Sequence, residues 1–350
     1  QIGIGSLGDA GAARGRRRLL DRATLDAVVA FENRRALFPI HRSVRFAAIC
    51  ATRGAATRAL PLRPGEQDAD PLERIPDRGA SPEHFPVVVS RDALLALSGE
   101  GMALPAVAHA RALALLLRLS AQHPALADPQ GWGARFSREL NATDDRPHFV
   151  DAAASTAPRD AYPIVEGKHL SPFVVDVGAH RWRLPRAAAA PRLRHRFEAS
   201  RLAFRDVAGA GNRLTLIAAV LPAGTASVHT LFCLDPPLGP DAQQVLCALM
   251  NSLVANWYVR HWVSTHVTTT LVARLPMPWL PERDAAFACL RDLSRRCASE
   301  GEGSEAWIAV QAETARLYGL TAGELADVLD TFPLIEKTRL EAVARAFAGR

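Results

Sequence analysis

A mixed α+β chain is predicted, on three observations. Short apolar and β-branched runs, separated by Gly, Pro and Asn turns, fill the middle of the sequence. Apolar residues spaced three or four apart follow Pro240, and everything after Pro278 reads as helical. The opening 60 residues combine one helical stretch with two extended ones. At 350 residues, 49% hydrophobic and 22% charged, the chain can build two or three compact domains with a sizeable core. Arg111 and Arg118 interrupt the longest apolar stretch, which falls short of the roughly 18 residues of a membrane span. A soluble, cytoplasmic protein without a membrane partner is expected.

Taken in order, residues 11–21 read as helix and residues 25–31 and 44–51 as strands, with Phe38-Pro39 punctuating the connection. Residues 53–86 are rich in Pro, Gly and acids and read as a surface connection. Pro105 suits the first turn of an Ala/Leu helix that His123-Pro124 stops after Gln122. Strand-like runs follow at 162–166, 173–177, 201–207, 214–221 and 227–234. Pro240-Asp241 opens a helix with Val245, Leu249, Leu253 and Trp257 on one apolar face. Thr321 and Glu324 form a capping-box pattern, and Phe332-Pro333 ends that helix before a last one.

The numbering opens at Gln1 and the earliest methionine is Met102, with no signal-peptide pattern ahead of it. A segment of a longer protein is therefore expected. Cys50, Cys233, Cys247, Cys289 and Cys297 are odd in number and never paired as CxxC, which predicts unpaired thiols rather than disulfides or zinc. His261 and His266 lack a metal-ligand spacing, and no metal site is expected.

Lysine occurs only at Lys168 and Lys337, so nearly all basic residues are arginine, and they cluster. Residues 1–63 hold 12 arginines against four acids, and residues 181–205 hold eight against Glu198 alone. Such density favours a polyanionic partner.

Gly3-Ile4-Gly5-Ser6-Leu7-Gly8 fits GxGxxG, with Glu32 placed where a ribose-binding acid could stand. A dinucleotide site needs a strand ahead of the first glycine, and only two residues precede it here. Asp235-Pro236-Pro237-Leu238 has the outline of the tetrad with which amino-methylating DNA methyltransferases hold a flipped base. Leu238 supplies no stacking ring, and a proline turn before a helix is the better reading. From Leu202 to Pro222 the sequence reads as strand, Gly-Ala-Gly turn and strand, which places Arg205, Asn212, Arg213 and Thr215 near one edge of a hairpin. Arg and Asn can make bidentate contacts with guanine and adenine edges; the alternative is an Arg-Asp pair, Arg213 with Asp206, bracing the hairpin.

These residues resemble the adenine-specific DNA methyltransferases of the type IIG restriction-modification group. The resemblance rests on Phe31-Glu32-Asn33-Arg34 with Phe38-Pro39-Ile40, on Glu166-Gly167-Lys168, on Phe204-Arg205-Asp206 through Pro222, and on Asn251-Ser252 through Pro278. Leu317-Tyr318-Gly319-Leu320 and Leu329-Asp330-Thr331-Phe332-Pro333 extend it to the tail. It implies residues 1–60 as the closing strands of a methyltransferase sheet and 61–158 as a connecting helical region. Residues 159–280 would then be a mixed-sheet target recognition domain, and 281–350 a helical tail.

The resemblance also implies methyl transfer from S-adenosylmethionine to an adenine amino group of double-stranded DNA. The cofactor-binding and tetrad motifs of the family are not seen here. They are expected in an amino-terminal catalytic region of the same protein, so no cofactor and no catalytic residue is expected within this segment. Phosphate contacts are expected from Lys168, Arg181, Arg183, Arg192, Arg194 and Arg196, and base contacts from Arg205, Asn212, Arg213, Thr215, His266 and Thr268. The alternatives are a stand-alone DNA-binding specificity module without catalysis, and a dinucleotide-dependent enzyme using Gly3, Gly5 and Gly8.

Overall fold

The structure, a computed structural model, describes residues 2–3, 5–42, 44–73, 75, 84–154, 160–263 and 265–349; for Ile2, Ala10, Pro71 and Arg192 it describes the backbone alone. The mixed α+β class predicted from the sequence is what the chain adopts, in two compact units, Gln1–Gln122 and His123–Arg350.

The first unit runs β1 (Ile2–Gly3), α1 (Gly5–Gly8), α2 (Ala13–Arg22), β2 (Ala23–Glu32), β3 (Arg45–Arg53), β4 (Ala59–Glu66), α3 (Asp70–Glu73), β5 (Val87–Ser90), α4 (Arg91–Ser98) and α5 (Ala110–Gln122). Its sheet has the order β1-β3-β2-β4-β5, with β2 antiparallel to β3 and parallel to β4. Val28 and Val29 on β2 are both buried, so this central strand is covered on its two faces. On one face Phe31 and Phe46 stack at 5.0 Å within a cluster that includes Val29 and Phe85.

Asn33 explains why Phe31-Glu32-Asn33 and Phe38-Pro39-Ile40 belong together. Its buried carboxamide donates to the Phe38 and Ile40 carbonyls at 3.1 and 2.9 Å and accepts from the Phe38 N–H at 2.9 Å. One side chain thus satisfies the backbone of the whole turn.

Three expectations fail in this unit. Residues 53–86 are not merely a surface connection, and the division at 60/61 falls inside β4. Leu60 and Leu62 alternate with Pro61 and Arg63 and fill the core between β2 and β5; the prolines masked that period-2 pattern. Likewise α5 begins at Ala110, not at Pro105. His109 starts it, its Nδ1 accepting from Ala112 N–H at 3.2 Å, while Leu104 and Val107 are buried in irregular chain.

The second unit runs β6 (Phe136–Ser137), β7 (Val150–Asp151), β8 (Ala161–Val165), β9 (Leu170–Ser171), β10 (Val174–Val175), β11 (Trp182–Pro185), α6 (Pro191–Phe197), β12 (Arg201–Arg205), β13 (Ala218–Leu221), β14 (Ala226–Ser227) and β15 (Leu231–Leu234). The helices α7 (Pro240–Met250), α8 (Leu253–Arg260), α9 (Thr269–Ala273), α10 (Ala285–Glu300), α11 (Glu305–Leu317), α12 (Ala322–Leu329) and α13 (Lys337–Ala348) follow. Two four-stranded sheets have the orders β14-β8-β11-β7 and β13-β12-β15-β6, and β9 and β10 form a short ladder. Tyr162, Ile164, Leu184 and Phe197 centre the core of the first sheet, and Ala203, Leu221, Leu231 and Cys233 that of the second.

A buried ion pair joins these sheets. Arg201 on β12 meets Glu139, whose Oε2 also accepts from the N–H and hydroxyl of Ser227 on β14 at 3.0 and 2.7 Å. Burial works against the Arg201 charge, but the hydrogen bonds to Glu139 prevail and hold its pKa above the ordinary arginine value.

The helix after Pro240 stops at Met250. Ser252 restarts it as α8 by accepting from Ala255 N–H at 3.1 Å, so Val245, Leu249, Leu253 and Trp257 are buried on two helices rather than one. The tail carries the reciprocal cap expected of Thr321 and Glu324, with Thr321 N–H donating to Glu324 at 2.8 Å and Glu324 N–H to Thr321 at 3.2 Å. Buried Tyr318 and Trp132 donate to the carbonyls of Pro276 and Pro278 at 2.9 and 2.8 Å, which fixes the Leu275–Pro278 stretch. The expected divisions at 158/159 and 280/281 thus fall within a single compact unit.

Candidate nucleic-acid interface

The hairpin expected between Leu202 and Pro222 exists only at its base. β12 and β13 pair from Arg201↔Leu221 to Phe204↔Ala218, and residues 206–217 form a long loop in place of a tight turn and a strand. Two buried asparagines substitute for the missing ladder. Asn256 accepts from the N–H groups of Thr215 and Leu216 at 2.8 and 2.9 Å and donates to the Leu216 carbonyl at 3.1 Å. Asn251 accepts from Ala218 N–H at 3.0 Å and donates to its carbonyl at 2.8 Å.

Asp206, at the start of the loop, is 4% exposed and holds two outward-reaching bases. Its Oδ2 accepts from Arg138 at 2.9 Å and its Oδ1 faces His266 Nδ1 at 3.2 Å. Both side chains are about half exposed. A carboxylate against Nδ1 requires that nitrogen to donate, which leaves Nε2 of the neutral ring as an acceptor. Arg138 also lies 4.8 Å over the Phe232 ring. The loop closes against the same segment through Val267 N–H donating to the Asp206 carbonyl at 2.8 Å. Arg205, half-buried next door, has no side-chain hydrogen bond or ion pair among the described residues.

A second basic surface gathers at Trp182 on β11. The guanidinium groups of Arg146 and Arg181 lie over its ring at 3.6 and 4.6 Å, and Arg183 donates to His180 at 3.2 Å. Arg181 is exposed, and its one ion-pair partner among the described residues is Asp151, at 3.8 Å. Arginines stacked on a half-buried Trp suit the flat faces and phosphates of a nucleic acid.

Several expected contacts are otherwise engaged. Arg196 is buried, ion-paired to Asp235 and bonded to Ser137 at 2.6 Å, so it braces the fold instead of meeting phosphate. Asp235 is thereby occupied and the Leu238 carbonyl accepts from Gln243 at 2.7 Å, which makes 235–238 the proline turn preferred from the sequence. Thr215 is fully buried, its hydroxyl donating to the Gly209 carbonyl at 3.0 Å, and is withdrawn from base contact.

Arg213 pairs neither with a free edge nor with Asp206. It meets Glu302 end-on through its two terminal nitrogens, one of them at 2.8 Å, in the connection between α10 and α11. Thr268 caps α9 by accepting from Leu271 N–H at 3.3 Å. Lys168 is exposed and ion-paired with Glu166, Arg194 is exposed and donates to the Arg186 carbonyl at 3.0 Å, and Asn212 is exposed. The Arg192 side chain lies outside what the structure describes. Of the expected base contacts, then, Arg205, Asn212, His266 and Thr268 stay accessible to some degree, and Arg213 is exposed but paired. Arg138 and Arg146 were missed; a tryptophan flanked by arginines at 181–183 was the signal for the second surface, and none marked Arg138.

No protein-family model matches the chain, and no curated protein does. Solved structures resemble its backbone path, two of them restriction enzymes. One is the type IIG restriction endonuclease BpuSI, with TM-score 0.44 and 9% identity over 99% of this chain and 46% of that one. The other is the type IIL restriction-modification enzyme MmeI in complex with DNA, with TM-score 0.45 and 8% identity over 93% of this chain and 43% of that one. The chain spans less than half the length of either, and at this level the likeness assigns no residue a role.

Among the described residues the glycine-rich start forms no nucleotide cradle. β1 lies antiparallel to β3, α1 is a single turn, and the Asp9 carboxylate closes over Gly5 where a ligand phosphate would enter. Among the described residues that geometry does not fit the dinucleotide reading of Gly3, Gly5 and Gly8. Among the described residues no cluster of His, Cys, Asp and Glu could hold a metal, and no helix is long and apolar enough to cross a membrane.

Proposed function

We propose that the second unit binds double-stranded DNA and reads part of a target sequence, as the recognition end of a site-specific adenine methyltransferase. The observation that carries this reading is the buried Asp206 carboxylate, which holds the half-exposed Arg138 and His266, next in sequence to Arg205, whose side chain has no partner among the described residues. Base readout needs side chains held in one orientation before the duplex arrives, because a contact that must first be ordered discriminates less. Arg181, Arg183, Arg194 and Lys168, with Arg146, supply phosphate contacts that position the duplex without reading it. The motif resemblance supports adenine as the target and S-adenosylmethionine as the methyl donor. The proposal assigns that chemistry to the remainder of a longer protein, so this chain alone should bind DNA without methylating it.

The test is selection of bound duplexes from a randomised library, followed by sequencing. An enriched motif is expected, with preference at one base pair relaxed in His266→Ala and at one in Arg138→Ala, each by about 1 to 3 kcal/mol. Binding without any enriched motif would remove the readout. Transfer of label from S-adenosylmethionine to DNA by this chain alone would show that the catalytic residues had been misplaced.

A further inference from the structure

Five arginines line a cleft of about 510 Å³ in the first unit: Arg14, Arg17, Arg18 and Arg22 from α2, and Arg91 from the start of α4. The spacing of 14, 17, 18 and 22 sets one face of a helix. Arg16, on the opposite side, fixes the rotation of that helix. It is buried, and donates to the carbonyls of Gly101 at 2.7 and 3.1 Å, Ser6 at 3.0 Å and Asp9 at 2.8 Å.

The charge of the cleft is only partly met from within. Glu100 takes Arg17 at 3.3 Å and Asp21 takes Arg91 at 2.5 Å. Arg14, Arg18 and Arg22 are exposed and have no acid partner among the described residues. Like charges four apart on a helix destabilise it, so this row gains from an anion laid along it.

The shape of the site selects among anions. Leu95 and Met102 are its apolar lining, and among the described residues no aromatic ring lines it to stack a base, so a free nucleotide finds only half its contacts. From Arg14 to Arg22 the helix rises about 12 Å. One strand of a duplex carries about three phosphates over that length.

We infer that this cleft is a phosphodiester-backbone site for duplex DNA, separate from the residues of the second unit and independent of the readout proposed for them. Its occupant is the backbone of about three consecutive nucleotides, held by charge and without base contacts.

The test measures binding of the full chain to a random-sequence duplex across a salt series by fluorescence anisotropy. Replacing Arg14, Arg18 and Arg22 together with glutamine should lower the magnitude of the log affinity against log salt slope by about 2.7, and weaken binding about tenfold or more at low salt. Melting curves check the fold of the variant. As a second probe, Leu95→Glu, on an exposed position at the cleft, should weaken the same binding without touching an arginine. Unchanged affinity and slope in both variants would overturn the inference, as would an absence of duplex binding by the parent chain. Inorganic tripolyphosphate separates the sources of phosphate: tight binding lost in the triple variant, with duplex binding unaltered, would assign the cleft to a free polyphosphate instead.

Discussion

Arg201 and Glu139 meet side-on, Nε and Nη2 at 2.5 and 2.7 Å from the two carboxylate oxygens, with each side chain 1% exposed. Removing one partner strands a charge that has no route to water. Glu139→Ala is therefore expected to destabilise the second unit by about 3–5 kcal/mol, read from urea unfolding. Replacing both, as Glu139→Leu with Arg201→Met, should cost far less than the single change. A single change as mild as an ordinary surface substitution would show that the pair is hydrated.

Arg213→Ala should lower stability by about 1 kcal/mol and leave sequence preference intact, because its guanidinium is held by Glu302 and does not face a free edge. Glu302→Ala should have a similar effect, and the double variant should be less destabilised than the sum of the two. Relaxed preference at one base pair with full stability would return Arg213 to readout.

Asn256→Ala is expected to orphan the N–H groups of Thr215 and Leu216 and the Leu216 carbonyl, at about 1–3 kcal/mol for each buried group that water cannot reach. Hydrogen exchange localises the effect. The amides of 215 and 216 should lose protection ahead of β12 and β13, and uniform protection would mean that the loop is held by other contacts.

His169 makes stability sensitive to mild acid. Burial lowers its pKa below the ordinary histidine value, with Lys168 and His180 acting the same way against Glu166 and Asp176, and its Nδ1 accepts from the Glu166 N–H at 3.1 Å. The unfolded chain then binds more protons than the folded one below about pH 6.5. The contribution is complete above that pH and is lost as the pH falls through the lowered folded value. The fall in melting temperature from about pH 7.5 to about pH 5 should therefore be smaller in His169→Asn, which keeps an acceptor but cannot titrate. Equal falls would exclude His169 as the source.

The helical tail was legible because its signals are local: Thr321 with Glu324 is a cap that two residues three positions apart specify. The central strands of the first unit were legible for the same reason, as continuous apolar runs. β4 was hidden by Pro61 and Pro64, which read as punctuation although their neighbours Leu60 and Leu62 are buried between two strands. At the interface, residue type pointed to the 205–215 segment, but which side chains are free depends on partners far away in sequence. Glu302 removes Arg213, Asn256 buries Thr215, and Asp206 recruits Arg138 from 68 residues upstream. The arginines of 181–205 were counted together, yet Arg196 and Arg201 belong to the core and Arg181 to the surface.

Arg260 braces the same loop in a different way. It donates to the carbonyls of Asn212 and Arg213 at 2.5 and 2.9 Å, to that of Thr331 at 2.6 Å and to the Thr215 hydroxyl at 3.3 Å, with its guanidinium 4.0 Å over the Phe332 ring. Burial lowers its pKa to about 10. A grip on main-chain oxygens does not depend on what residues 212, 213 and 331 carry beyond Cα. Those three positions can drift through many side chains while the path of the loop stays where it is, so the exposed chemistry at its tip is free to diversify without loosening the anchor beneath it.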